Sequence, residues 1–216
     1  MNETIIYFIR HGKIENPKKI YYGRTINLPL SIEGLHEVEK FAQSLHERHV
    51  KFDVIYSSPL FRALATAYAL ARVLEVPEKN IFQMNDLIDV NIPVLVGTPI
   101  SQRKKIHISG FDEYSGKYEA AGNESREAIT KRMISAIRQI LQTHQGKIIG
   151  VVSHGDPLRF LLYRLKSANK LIPSIGMLKE MYYPPKGGGW RMSFDGQENI
   201  VDAKLLPNDK DFTVQY

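Results

Sequence analysis

Three times along this chain a short apolar run stops abruptly and polar or cationic residues follow at once. Ile6-Tyr7-Phe8-Ile9 enters Arg10-His11-Gly12. Val54-Ile55-Tyr56 enters Ser57-Ser58-Pro59, with Arg62 one helical turn on. Ile148-Ile149-Gly150-Val151-Val152 enters Ser153-His154-Gly155. Runs this short and this rich in β-branched residues read as buried strands, over Thr4–Ile9, Asp53–Tyr56 and Lys147–Val152. Helical periods separate them. Ser31 caps a helix carrying Ile32, Leu35, Val38, Ala42 and Leu45, which runs to about His49. Ser57-Ser58-Pro59 opens another, with Pro59 in its first turn, running to about Leu74. A third begins at Asn123 or Ser125 and carries Ile129, Met133, Ile134, Ile137, Ile140 and Leu141, and a fourth spans Leu158 to about Lys166. Two strand candidates, Trp190–Phe194 and Ile200–Leu205, flank the turn Asp195-Gly196. Alternation of this kind predicts a three-layer α/β/α sandwich around a central, mostly parallel sheet.

With 216 residues and no internal repeat or low-complexity linker, residues 1–216 read as one domain. Residues 13–30 are a loop. Residues 81–97 are ambiguous, and Pro93 limits any central strand there. Residues 98–123 are polar without a clean period and read as a cap or insertion. Gly187-Gly188-Gly189 lacks the Lys-Ser/Thr ending of a P-loop and reads as a flexible loop. There is no cysteine, which excludes disulfides, thiolate catalysis and Cys-ligated metal. No apolar run reaches membrane-spanning length, and Met1-Asn2-Glu3-Thr4 lacks a basic leader, so a cytoplasmic protein with no membrane partner is expected. The net charge of +6 favours anionic partners, but without a dense Lys/Arg block no nucleic acid is expected.

Ligands of open α/β sheets sit outside the carboxyl ends of the strands. If the three strands are parallel neighbours, their tips bring two arginines, two histidines and two helix N-termini to one crevice. Guanidinium forks and helix N-termini both suit phosphate oxygens. Gly12 and Gly155 follow the histidines, where a side chain would crowd an anion. A neutral imidazole is a good nucleophile toward phosphorus, and arginines on the non-bridging oxygens stabilise the transition state.

These blocks resemble the histidine phosphatase superfamily, also called phosphoglycerate-mutase-like. Arg10-His11-Gly12 is similar to its opening signature. Asn16, Gly23-Arg24 and Pro29-Leu30-Ser31 with Gly34 resemble the stretch that follows. Ser57-Ser58-Pro59 with Arg62-Ala63, Gly122-Asn123-Glu124-Ser125 and Ser153-His154-Gly155 resemble the later blocks. The resemblance implies a histidine acid-type phosphatase acting on a small phosphate ester, with no metal and no cofactor. It makes His11 the nucleophile. Arg10, Arg62 and His154 bind the phosphoryl group, with His154 also stabilising the transferring charge, Asn16 adds a phosphate contact, Gly23 binds substrate, and Asp89 is the proton donor.

The chain departs from the pattern in two places. Asp89 stands where a glutamate is usual, and Pro93, Leu95 and Val96 replace a glycine, tryptophan and glutamate. Asp86, Asp112 and Glu113 are therefore alternative acids. Lys13-Ile14 follows Arg-His-Gly where glutamate with serine or threonine is common, and Lys13 would favour a second anionic group on the substrate. Two other functions compete: a bisphosphate-dependent phosphoglycerate mutase, and a non-catalytic phospho-ligand binder. The remaining features read as structure. His46 with His49 is an exposed face, and His36, His107 and His144 lie at surfaces or loops. Arg103-Lys104-Lys105 is a solvated charge run. Tyr21-Tyr22 and Tyr182-Tyr183 are packing residues. Ser153-His154-Gly155-Asp156 is not a triad merely because its members are sequence neighbours. The sequence leaves oligomeric state open.

Overall fold

The computed structural model describes residues 3–102, 105, 111–167, 182–206 and 210–211. One seven-stranded sheet runs through them, in the order β3-β2-β4-β1-β5-β6-β7. The strands are β1 (Thr4–Arg10), β2 (Val54–Ser57), β3 (Ile81–Gln83), β4 (Ile148–Ser153), β5 (Gly189–Phe194), β6 (Ile200–Leu205) and β7 (Lys210–Asp211). The pairings β3-β2, β2-β4 and β4-β1 are parallel, while β1-β5, β5-β6 and β6-β7 are antiparallel. A parallel half thus carries an antiparallel extension, in keeping with the α/β sandwich expected.

The helices are α1 (Ile32–Glu47), α2 (Phe61–Val73), α3 (Arg126–Thr143) and α4 (Gly155–Lys166). Strand alternation sorts the core into two clusters. Ile6 and Phe8 of β1 pack with Met133 and Ile137 of α3 and with Leu158 and Leu161 of α4. Tyr7 and Ile9 of the same strand face Val38 and Leu45 of α1 and Ala67 and Leu70 of α2. Both faces of β1 are therefore covered, which explains its unbroken apolar run. Ser31 caps α1 by accepting the Gly34 N–H at 3.0 Å, and Ser125 caps α3 in the same way from Ala128 at 3.3 Å.

Three local expectations change. Pro59 lies before α2, which starts at Phe61 with Leu60 as its N-cap. Ser58 Oγ, by accepting the Leu60 N–H at 3.3 Å, holds that entry. Helix α4 starts at Gly155 rather than Leu158, and Pro157 sits in its first turn, where no intrahelical N–H is required. In the glycine run, Gly187 and Gly188 form a turn tied to the end of β1, and Gly189 already belongs to β5. Gly188 O accepts the Arg10 N–H at 2.9 Å, and Gly187 N–H donates to Arg10 O at 3.0 Å. A Cβ at Gly189 would stand 1.8 Å from Phe8 O, so only glycine lets β5 start there.

The ambiguous stretch resolves into β3 followed by a 3-10 turn at Asn85–Leu87, and the chain then passes Asp89 without regular structure. Within residues 98–123 the described parts hold two 3-10 turns, Ile100–Gln102 and Gly116–Ala121. They tie back to the loop at 13–30, where Tyr21 N–H donates to Thr98 O at 2.9 Å. Arg103, Lys104 and His107 lie outside the described residues. No helix among the described residues is long and apolar enough to cross a membrane.

Candidate active site

The parallel register aligns Arg10 with Ser153 across β1 and β4, and Ser57 with Val152 across β2 and β4. All three strand tips therefore end at one level. His11 N–H donates to Ser153 O at 3.0 Å, which locks the two histidine-bearing turns side by side. The His11 and His154 rings lie 5.1 Å apart at an angle of 59°. Gly12 passes so close to α1 that a Cβ there would meet Gly34 O at 2.6 Å. Its N–H donates to Thr66 Oγ1 of α2 at 3.1 Å.

The hydrogen bonds fix both tautomers. His11 Nδ1 is 2.7 Å from Gly12 O. A carbonyl only accepts, so Nδ1 carries the hydrogen and Nε2 the lone pair. Arg62 Nε donates to His154 Nδ1 at 3.3 Å, so in His154 the hydrogen is on Nε2, which donates to Ser58 Oγ at 2.7 Å. Both rings are held neutral. Burial pushes the His11 pKa well below its usual value, and the nearby His154, Arg62 and Arg10 push the same way against Asp89. His154 is lowered too, by burial first and then by Arg62, Arg132 and Arg10. The 3.4 Å approach of His154 Nδ1 to Asp89 Oδ2 becomes an ion pair only when that ring gains a proton.

Arg62 is fully buried, at 0% exposure. Its Nη2 donates to Gly23 O at 2.8 Å and to Asp89 Oδ2 at 2.7 Å. Among the described residues its buried Nη1 has no hydrogen-bond partner, and neither has Nε of Arg10. An orphaned buried guanidinium N–H beside two imidazoles is costly unless an anion completes it. Tyrosine rings back both guanidinium groups, Tyr22 at 4.9 Å from Arg62 and Tyr183 at 4.8 Å from Arg10. Arg10 also donates through Nη1 to Pro184 O at 3.0 Å.

Asp89 is buried on its irregular loop, and Oδ1 accepts the Val90 N–H at 2.9 Å. Arg132 of α3 holds that loop. Its Nη1 donates to the carbonyls of Asp86 and Ile88, each at 2.7 Å, while Nε reaches Glu124 Oε1 at 2.6 Å. Glu124 in turn accepts from Arg24 at 2.9 Å. The stretch matched as Gly122-Asn123-Glu124-Ser125 thus caps α3 with its serine and anchors the Asp89 loop with its glutamate.

The sequence-predicted residues divide into two groups. Arg10, His11, Arg62, Asp89 and His154 converge, and Gly23 joins them through its carbonyl on Arg62. The φ of +47° at Gly23 is a left-handed conformation that favours glycine. Asn16 is turned to its own loop, donating to Ile20 O at 2.9 Å and accepting from Ile20 N–H at 3.3 Å. Lys13 is exposed and ion-paired with Glu33. Among the alternative acids, Asp112 pairs with Arg126, Asp86 offers its backbone carbonyl to Arg132, and Glu113 is buried beside Asn123. Tyr22 and Tyr183 prove to stack on the site's cations rather than only to pack. Ser58, Arg132, Tyr114 and Asp156 escaped the sequence reading as site residues. For Ser58 and Asp156 a signal existed, since each lies in a strand-end block already singled out. Among the described residues, no three His, Asp or Glu side chains are gathered as a metal ion would need.

The fold and this cluster define an α/β protein with a cationic, imidazole-lined crevice at the carboxyl end of its parallel strands. The chain belongs to the histidine phosphatase superfamily (branch 1), whose family model matches residues 6–173. It is 28% identical over 158 residues to phosphoserine phosphatase 1 of Hydrogenobacter thermophilus, covering 71% of this chain and 72% of that protein. It is 29% identical over 179 residues to the metal-independent phosphoserine phosphatase of Arabidopsis thaliana, covering 78% and 73%. The solved structure of Bacillus stearothermophilus YhfR shares the fold, with a TM-score of 0.76 at 21% identity, covering 97% of this chain and 98% of that one.

Proposed function

We propose that this chain is a phosphomonoesterase of the histidine acid type that passes the phosphoryl group through His11. The observation that carries this reading is the orphaned Nη1 of Arg62, buried beside the paired imidazoles. The phosphoryl oxygens fit Arg62 Nη1 and Arg10 Nε, and the His154 ring joins them as a donor once the dianion brings a proton to its Nδ1, while His11 Nε2 faces phosphorus with its lone pair. Attack forms the P–N bond as the ester P–O bond breaks, and the leaving alkoxide takes a proton from a carboxylic acid. Water then attacks phosphorus, the P–N bond breaks, and the water proton passes to the same carboxylate.

Asp89 is the acid in this scheme. In the free protein it is the ion-pair partner of Arg62. A bound dianion competes for that guanidinium, which frees the Asp89 carboxyl to turn to the leaving oxygen. The arginines supply the charge stabilisation that a metal would otherwise provide, so no metal or cofactor enters the scheme. The described residues within 98–123, Tyr114 among them, serve as the cap of a single domain. The cysteine-free composition fits a cytoplasmic enzyme. Relatives named phosphoserine phosphatase put phosphoserine at the head of the substrate panel.

The test is to trap the intermediate. With a phosphate ester labelled on phosphorus, the wild-type protein should retain label that survives alkali and is lost in acid. His11→Ala should retain none. Turnover of an alkyl phosphate that persists in His11→Ala would overturn the scheme. Mutase activity on 3-phosphoglycerate exceeding hydrolysis would give the site to the mutase reaction instead.

A further inference from the structure

Asp156 lies two residues beyond His154, in the first turn of α4. An acid there is ordinary if exposed, because it complements the helix N-terminus. This one is half-buried and accepts a hydrogen bond from Tyr114 Oη at 2.7 Å. Tyr114 comes from the capping segment and is itself buried in the core beneath it, its ring edge-on to Phe160 at 5.1 Å. The other wall is Tyr183. Its hydroxyl lies where a Cβ on residue 155 would be, at 2.1 Å, so glycine there admits the ring directly over the start of α4. The same ring carries Arg10 on it at 4.8 Å and Arg159, one turn along α4, at 5.4 Å.

A carboxylate at this point works against a plain phosphate ester. Its electrostatic neighbours include Asp89 and Arg10, both members of the phosphoryl site, and its charge is felt at Tyr22 and Tyr183. Burial, joined by repulsion from Asp89, pushes its pKa up, against the Tyr114 hydrogen bond and the two arginines. Next to an incoming dianion it is a second like charge. That arrangement becomes favourable when the substrate brings a positive group of its own.

We infer that Asp156, oriented by Tyr114, binds an ammonium group on the leaving alcohol, so that the preferred substrates are phosphate esters of amino alcohols or hydroxy-amino acids. This rests on the phosphomonoesterase reading and specifies its substrate class. Tyr22 and Tyr183 form the flat walls of the leaving-group subsite. Arg159 brings a guanidinium to the same wall, suited to a carboxylate on the same substrate. The subsite disfavours bisphosphates, because a second phosphate would meet Asp156 and Asp89 together.

The matched pair that tests this is phosphoserine and 3-phosphoglycerate, which differ by an ammonium against a hydroxyl at one carbon. The full-length protein, Asp156→Asn and Tyr114→Phe are assayed on both, with p-nitrophenyl phosphate as the reference ester. Wild type should favour phosphoserine over 3-phosphoglycerate in kcat/KM by about tenfold or more, the worth of one charge-assisted hydrogen bond. Asp156→Asn should erase most of that ratio, chiefly through KM for phosphoserine. Tyr114→Phe should lower it less, in the same direction. Because it removes only a hydroxyl, it keeps the test open if Asp156→Asn fails to fold. A wild-type ratio near one, or variants that depress all three esters equally, would overturn the inference while leaving the hydrolase intact. Loss of all three activities in wild type would overturn the hydrolase reading itself, and this inference with it.

Discussion

The two ends of the crevice are built differently. At the phosphoryl end His11, Arg62 and His154 are at most 1% exposed; the two histidines directly follow β1 and β4, and Arg62 lies in the first turn of α2. At the leaving-group end Tyr183 keeps 41% of its surface exposed and Asp89 sits on an irregular loop. The difference separates two tasks. Charge stabilisation in a transition state requires donors that need no reorganisation, and rigid strand tips provide them. Selection among alcohols requires only contacts that can vary, and loops provide those.

The comparison is tested hardest by Arg62→Met. It should lower kcat/KM by about 10³-fold, on the order of the loss when a preorganised donor is removed. It also leaves Asp89 buried without its cation, so the midpoint of thermal unfolding should fall as well. Inorganic phosphate, which should raise the unfolding temperature of wild type, should no longer do so. If Arg62→Met kept most of its activity, the phosphoryl end would not be the rigid half.

Arg132→Met should be the next largest. It frees the carbonyls of Asp86 and Ile88, and the Asp89 loop should loosen without any direct contact with substrate being lost. A drop of about tenfold to a hundredfold in kcat for alkyl esters is expected, much smaller for aryl esters, whose leaving groups need little protonation. Equal losses on both would make Arg132 a plain structural residue.

The pH dependence follows from the two lowered histidines. Folded His11 and His154 bind fewer protons than their unfolded counterparts between their depressed pKa values and 6.5. Stability is therefore fully present above about pH 6.5 and declines as pH falls below it, by at most about 1.4 kcal/mol per pH unit for each ring. The acid limb of kcat/KM that reports His11 should also lie below pH 6.5. Urea unfolding midpoints measured from pH 8 to 5 check the first statement, and rate profiles over the same range check the second. A histidine limb above 6.5 would contradict the burial of these rings.

Smaller effects belong to the leaving-group end and to Lys13 at the surface. Gly155→Ala places a Cβ 2.1 Å from the Tyr183 hydroxyl, and the ring must swing aside. Several-fold higher KM with little change in kcat is the expected result in steady-state assays. Lys13→Ala should change KM less than about twofold for mono- and bis-anionic esters alike, because an exposed ion pair contributes little. That outcome would retire the idea that Lys13 selects a second anionic group.

Much of this molecule was legible from residue order because the signals are local. Apolar runs ending in Arg10-His11, Ser57-Ser58 and Ser153-His154 identify strands and their functional tips, and Ser31 and Ser125 mark helix starts through hydrogen bonds to residues three positions on. The less legible parts are long-range. Residue order placed Pro59 inside a helix because proline suits a first turn, but packing put Leu60 at the cap. It made Gly187-Gly188-Gly189 a loose loop, when the close passage of β1 is what demands glycine there.

The sequence by itself determined the fold class, the family and the five groups Arg10, His11, Arg62, Asp89 and His154. Each follows a periodicity or block that one strand or helix imposes on its own residues. Tertiary structure alone decided which nitrogen of His154 carries the proton and that Asp89 is bound to Arg62. It also decided that Tyr22 and Tyr183 support cations rather than fill space, and that Asp156 stands among the site's charges. Those facts depend on residues tens of positions apart meeting within hydrogen-bonding or stacking distance, in a low-dielectric interior that makes such partnerships strong.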